Sequence, residues 1–315
     1  MAIPLDNRQI NNLLTSTLDA YRSELIDNYF VSNALFVRLT SKNKVKFEGG
    51  EEIRSHFIYD KLNGGSYGKG DTFGTSFKEF MTDLRLDWKR NYVELSMDGL
   101  DEAKNRSAAR IFSYADTLRE TAKMTLPDNV GYQLYGNGTG NNGKDIDGVQ
   151  IAINDTGTYG GITRGATGPG AGIKSIINTT GGPYANTMIQ NAIGDATIGK
   201  ETPDLIITTQ AIYNKIWAQS QTSERNAPSD LRRIGFKTVQ FNGGPDVVVD
   251  NHCPAGQIHL FNTNFIEFHC LTGFEMHLRG PFDLHIQDAW TGQYIQYSNL
   301  VVKSPRLQSR IENVT

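Results

Sequence analysis

The chain is short of several things. It has only two cysteines, Cys253 and Cys270, in 315 residues, too few for a disulfide framework. The expected state is a pair of half-buried thiols made in a reducing cytoplasm. It has no long apolar run: stretches such as Val247–Val249 fall far short of the ~20 residues a membrane helix needs, so no membrane partner is expected. Met1–Ile10 lacks the basic stretch and apolar segment of a secretory signal, and none is expected. Asn-x-Ser/Thr triplets such as Asn137–Thr139 carry no meaning without secretion. There is no excess of one charge: 31 Lys and Arg against 34 Asp and Glu give a net charge of -3, unlike the basic face of a nucleic-acid reader. Paired carboxylates, H-E-x-x-H and a basic-aromatic nucleic-acid motif are missing as well.

Glycine, by contrast, is plentiful: 32 residues, about a tenth of the chain against a norm of ~7%. Many fall between Gly131 and Gly182. A chain that turns often uses glycine for positive φ.

Periodicity sets out an order of elements. Ile10, Leu13, Leu14, Leu18, Tyr21, Leu25 and Tyr29 predict an amphipathic helix over residues 5–30. Residues 41–80, with Val45, Phe47, Ile53, Phe57 and Tyr59 among charges, predict a two-stranded excursion with a flexible turn at Asn63–Gly70. It holds too few apolar residues for its own core and must lie on something else. Residues 84–97 read as a strand through Trp88, Tyr92 and Leu95. A long helix follows from about Asp98 to Leu126, with Ile111, Ala115, Leu118 and Ala122 on one stripe and Pro127 stopping it. Gly160–Gly172 reads as a surface loop. Beyond it come helices within 183–200 and at Thr209–Gln219, and a buried strand at Leu205–Thr208. Strands are expected at Thr238–Phe241, Val247–Val249, Gln257–Phe261, Phe265–Phe268, Phe274–Leu278 and Tyr294–Val302, before a polar tail.

The chemical motifs are thin. Gly64–Gly68 matches G-x-S-x-G, but Ser66 lies in a polar, Gly-rich stretch with no helix after it, where a nucleophile elbow needs a strained strand-to-helix turn. Gly138–Lys144 nearly matches a phosphate-binding loop. Asp145 then stands where a Ser or Thr should hold magnesium, and the following helix is missing. His252, His259, His269, His277 and His285 gather in the last third near both cysteines, without the tight ligand pairs of a zinc site. His259, His269 and His277 fall in alternating strands and are expected to face water or a neighbouring subunit, where a pH-sensitive interface would use them better than a metal would. No catalytic residue, cofactor or metal ligand is expected.

The order of elements and several short stretches resemble one family. Phe57-Ile58-Tyr59 followed by Tyr67-Gly68-Lys69-Gly70-Asp71 resembles the extended loop of tailed-bacteriophage major capsid proteins, the Hong Kong 97-type fold. Ile212–Trp217 resembles the helix after the central strand of their axial domain. Gly235-Phe236-Lys237 with Val247–Asp250 and Pro254-Ala255-Gly256 resembles the segment returning to the peripheral domain. The resemblance covers most of the chain and implies an α+β fold: an N-terminal arm (1–40), extended loop (41–85), peripheral domain with spine helix (86–130), axial domain (131–254) and peripheral return strands (255–315).

It also implies a function. The chain would assemble with itself into hexamers and pentamers of an icosahedral head, with double-stranded DNA held non-specifically on the inner face. Portal and decoration proteins and a separate scaffolding protein are the other expected partners, and the virion its location. Tyr67, Lys69, Phe73 and Trp88 are the expected inter-subunit contacts. Lys61 and Lys69 lie on the loop, but no matching motif carries over the lysine–asparagine crosslinking of some members. Gly64–Gly70 and Gly243–Gly244 are candidate hinges for five- and six-fold packing. The alternatives are an encapsulin-like shell, another virion component of mostly β structure, and an enzyme using the Gly-rich loops.

Overall fold

The computed structural model describes residues 33–72, 74, 76–104, 114–219, 238–240 and 244–315. The expected N-terminal helix, Phe73, Gly235-Phe236-Lys237 and Gly243 lie outside these. The chain divides into two compact units, one containing Asn91–Asn129 and Gly273–Gln296, the other Ser32–Arg90, Val130–Thr272 and Tyr297–Thr315.

The larger unit begins with α1 (Ala34–Lys42). The Asn33 side chain caps it by accepting from Phe36 N at 2.9 Å. β1 (Lys44–Phe47), β2 (Glu52–Ile58) and β3 (Met81–Asp87) follow. β2 and β3 pair antiparallel from Glu52↔Asp87 to Ile58↔Met81, which is the expected two-stranded excursion. It starts later than Val45 and Phe47 indicate. β1 instead runs parallel to β12 (Ile266–Leu271), with Val45 in register with His269. An apolar–charged alternation cannot distinguish a hairpin strand from a sheet edge.

Six strands make the second sheet of this unit, in the order β7 (Ile176–Asn178), β15 (Ser309–Ile311), β11 (Ile258–Phe261), β8 (Leu205–Thr208), β10 (Asp246–Val249), β9 (Thr238–Gln240). Alternation decides the faces. Leu205, Ile207, Val248 and Phe261 join one core with α1, Tyr135 and Tyr159. Ile206, Val247, Ile258, Leu260 and Ile311 join the other, beneath α3 (Asn186–Ala196) and α4 (Gln210–Gln219), which supply Ile189, Ile212 and Ile216. The expected polar tail after Val302 is thus partly a sheet strand. Ser309 and Ile311 are fully buried because β15 pairs with β11 on one side and β7 on the other.

In the smaller unit, β4 (Lys89–Asp98) pairs with β14 (Ala289–Val302), which also pairs with β13 (His277–Asp283). Trp88 separates β3 from β4, so the expected single strand over 84–97 is two. Residues 99–104 are helical, and the main helix, α2, is Tyr114–Leu134. Leu118, Ala122 and Leu126 pack with Val93, Leu95, Leu278 and Tyr294. Pro127 does not stop the helix but sits inside it. An interior proline loses one ladder hydrogen bond and crowds the carbonyl four residues back, and burial of the next turns, at Val130 and Leu134, offsets that cost.

A buried carboxylate organises the larger unit. Asp250, at the end of β10, is fully buried. Its Oδ2 accepts from Leu35 N at 3.0 Å and from the Tyr135 hydroxyl at 2.9 Å. Its Oδ1 accepts from His252 N at 2.9 Å. Burial and the Asp250 charge together raise Tyr135 well above the ordinary phenol range. Asp250→Ala leaves these donors buried without an acceptor and is expected to lower stability by about 3 kcal/mol or more, with Asp250→Asn losing less. A urea midpoint unchanged in the alanine variant would contradict this.

The histidines correct an expectation. His259 and His269 are buried rather than facing water or a neighbour, and only His277 of the three is exposed. What covers them is packing on the sheet faces: Tyr135 and Phe261 lie against His259, and Phe47 lies against His269. His259 stacks on Phe261 with ring centroids 5.7 Å apart and lies 5.7 Å from the Tyr135 ring. Burial first, and then the Arg310 charge, push it down to about 3, against a partial pull from Asp250. Between about pH 6.5 and that value the unfolded chain binds the extra proton, so the stability of the neutral ring is complete above pH ~6.5 and lost as pH falls. The slope is about 1.4 kcal/mol per pH unit. His259→Phe is expected to flatten the acid side of the stability–pH curve, measured by urea unfolding across that range.

Candidate assembly surface

The excursion is anchored on one face and open on the other. Ile53, Ser55, Leu84 and Leu86 are buried, while Arg54, His56 and Arg85 on the alternate face are exposed. Arg54 and Arg85 face each other in register, a like-charge pair. Arg54 turns to Glu52 at 3.3 Å, and His56 to Asp83 at 2.5 Å.

The buried face rests on the Gly160–Gly172 segment, which is therefore a seat and not a free surface loop. β5 (Thr158–Tyr159) and β6 (Ile162–Thr163) form a small hairpin there. Gly160, with φ of +57°, donates no side chain and accepts from Arg85 N at 3.0 Å. A Cβ at Gly160 would lie 2.7 Å from Leu84 Cδ2, and one at Gly172 would lie 3.1 Å from the Phe57 ring. Glycine lets the two backbones meet. Arg164 holds the seat together from inside. Its guanidinium donates to the carbonyls of Ile173, Thr156, Ile151 and Ala152 at 3.1, 3.0, 2.8 and 2.8 Å. Its ring neighbour Tyr159 accepts from Val302 N at 2.9 Å. Sequence reading missed Arg164, a single arginine in a Gly-rich stretch.

Beyond this seat the excursion has little of its own to pack on. Tyr59 donates to Glu79 O at 2.9 Å, Asn63 Nδ2 to Ser76 Oγ at 3.0 Å, and Lys78 pairs with Asp60 at 2.9 Å. These polar ties keep the two sides together. The Lys78 hydrogen bond, assisted by the Lys61 amide, holds the Asp60 carboxyl below its ordinary value. Meanwhile Ile58, Leu62, Tyr67, Phe77 and Met81 are exposed, Tyr67 at 71% and Phe77 at 106%. Large exposed apolar side chains concentrated on one excursion make it the candidate interaction surface.

Of the expected contacts, Tyr67 and Lys69 lie exposed on the distal excursion, and Phe73 lies outside the described residues. Trp88 is at the root, half-buried, its indole N–H donating to Gly50 O at 2.9 Å and its ring edge-on to Phe47. Ile58, Leu62, Phe77 and Met81 were not singled out from the sequence, because isolated apolar residues among charges carry no period. A second apolar display, Phe282, Leu284 and Ile286, sits in the smaller unit at the β13–β14 turn, with Ile286 96% exposed.

The chemical motifs take no catalytic form. Ser66 is exposed in the distal loop with no helix after it. Gly138–Lys144 follows a helix instead of a strand, and Asn141 and Asn142 take left-handed φ values of 49° and 59°. Cys253 and Cys270 are free and buried, and burial pushes the Cys253 thiol up, away from reactivity. Among the described residues, no three His, Cys, Asp or Glu gather as metal ligands, and no helix is long and apolar enough to cross a membrane.

No protein-family profile matches the sequence, and no curated protein does. The fold has clear relatives among solved structures. The capsid asymmetric unit of cyanophage A-1(L) superposes with a TM-score of 0.73 at 14% identity, over 96% of this chain and 99% of that one. The capsid of a native GTA particle gives 0.67 at 10% identity, over 95% and 96%. The holo-SrpI encapsulin complex of Synechococcus elongatus PCC 7942 gives 0.62 at 9% identity, over 99% and 96%. The chain has the Hong Kong 97-type fold of phage capsid proteins.

Proposed function

We propose that this chain is a major capsid protein that assembles with itself into the hexamers and pentamers of an icosahedral phage head around double-stranded DNA. The supporting observation is the superposition on the cyanophage capsid chain, which spans nearly all of both chains. In this reading the arm is 1–40, the extended loop 41–85, the spine-helix part 86–130, the axial part 131–254 and the return 255–315. The loop lies over a neighbouring copy, with Tyr67 and Lys69 in contact and Ile58, Leu62, Phe77 and Met81 covered. Obligate interfaces bury on the order of 2,000 Å² or more and are apolar, and these residues supply that character. Portal, decoration and scaffolding proteins are the remaining partners, and the virion the location. The role is structural, with no catalysis.

The encapsulin likeness favours a second reading, a shell around cargo proteins. The contents of purified particles separate the two: nuclease-protected double-stranded DNA for a phage head, co-purifying protein for an encapsulin.

The excursion's role is testable on the chain itself. Tyr67→Asp with Phe77→Asp is expected to abolish closed shells in negative-stain micrographs, leaving soluble chain or capsomers, while circular dichroism stays unchanged. Shells formed as readily as by the parent protein would remove the distal excursion from the interface.

A further inference from the structure

The root of the excursion is joined to a buried histidine through a chain of ring contacts. β1, which leads into β2, is the edge strand of its sheet among the described residues, where it pairs with β12. His269 on β12 is 3% exposed, and its ring lies 4.8 Å from that of Phe47 on β1. The Phe47 ring meets Trp88 edge-on at 6.0 Å, and Trp88 Nε1 donates to Gly50 O at 2.9 Å, just before the hairpin begins.

The charges around the imidazole come from three directions. On its own strand, His269 Nε2 lies 2.9 Å from Glu267 Oε2. The other Glu267 oxygen takes the Lys303 ammonium. On the far side, β14 sets the neutral Asn299 opposite His269, and Asn299 hydrogen-bonds Asp147, which is paired with Lys89. β1 presents Val45 and Phe47 on this face, and its Lys44 and Lys46 alternate to the other. With Nε2–H donated to Glu267, Nδ1 carries the lone pair, buried and without a hydrogen-bond partner among the described residues.

We propose that His269 is a proton-operated latch: protonation of its ring releases β1 from β12 and loosens the root of the excursion. A proton added at Nδ1 creates an N–H with no acceptor in a buried site, a state that costs more than an empty lone pair. The new cation also faces Lys303 across the one carboxylate they share. The ring meets both demands by turning out toward water, which removes the tilted ring contact that holds Phe47 and, through Trp88, Gly50. Burial holds His269 below the ordinary histidine range, against the attraction of Glu267. The latch is therefore closed above the free-histidine value of about 6.5 and gives way as pH falls below it.

Hydrogen exchange on the full chain reads this directly. In the His259→Phe background, which removes the acid loss centred on β11, and after correction for intrinsic rates, protection of residues 44–53 is expected to be lost between about pH 7.5 and about pH 5 while that of the β8 and β11 amides holds. His269→Phe added to that background keeps a ring against Phe47 but cannot titrate, and is expected to hold protection constant. His269→Gln keeps a donor to Glu267 and serves if the phenylalanine variant does not fold. Protection of residues 44–53 that ignores pH in the His259→Phe background overturns the latch. So does an acid loss that persists in the variant, or one that takes β8 and β11 by the same factor.

Discussion

A buried carboxylate with three donors is the constraint on which the larger unit depends. Asp250 closes β10, and the groups it binds come from the start of α1, the residue after α2 and the turn that follows β10. A charge in that position is tolerable only if all of its partners arrive, so the three segments are located together or not at all. Asp204 does a similar task at the opposite end of the parallel β8–β10 pair. It accepts from Thr263 N at 2.7 Å and lies 3.4 Å from Arg38 of α1. One short helix is thereby tied at Leu35 and at Arg38 to both ends of two central strands. The chain leaves that helix directly into β1 and the excursion.

That fixed departure point is what allows a long excursion with almost no core. The root needs a rigid seat, and Arg164 provides one without apolar bulk by gathering four backbone carbonyls around a single guanidinium. Glycines at 160 and 172 then let β3 and Phe57 come closer than any side chain permits. The ties of the distal part among the described residues include polar ones such as Tyr59 to Glu79 and Lys78 to Asp60. Those hold two strands of chain together but contribute little stability where they are exposed.

Much of the framework was legible in the sequence, and the reasons are particular. Leu205–Thr208 reads as a buried strand because three apolar residues and a β-branched threonine stand between turn residues, and the structure buries all four. The helices through Ile189 and through Ile212 and Ile216 carry a clear stripe, and the excursion announces itself by a Gly-rich turn between sparse strands. What could not be read depends on distant partners. Ser309-Arg310-Ile311 looks like a tail, and becomes a sheet strand only because β11 and β7 lie on either side. His259 and His269 alternate as if solvent-facing, but the faces opposite them are occupied. Pro127 has the local chemistry of a stop, yet the turns after it are buried. Arg164 has no sequence signal, since its partners are carbonyls, which every residue possesses.

The apolar exposure has a geometric consequence. Ile58, Leu62, Tyr67, Phe77 and Met81 are displayed by one unit, and Phe282, Leu284 and Ile286 by the other. A single self-complementary patch would close a dimer and stop. Two unlike patches let each copy offer one surface to one neighbour and a second surface to another, the head-to-tail arrangement from which rings and larger closed assemblies are built. A chain balanced at a net charge of -3 offers little long-range repulsion against such packing. In the proposed shell, association would add contacts to the distal excursion, so that the part of the molecule with the most exposed apolar side chains is the part assembly would order most.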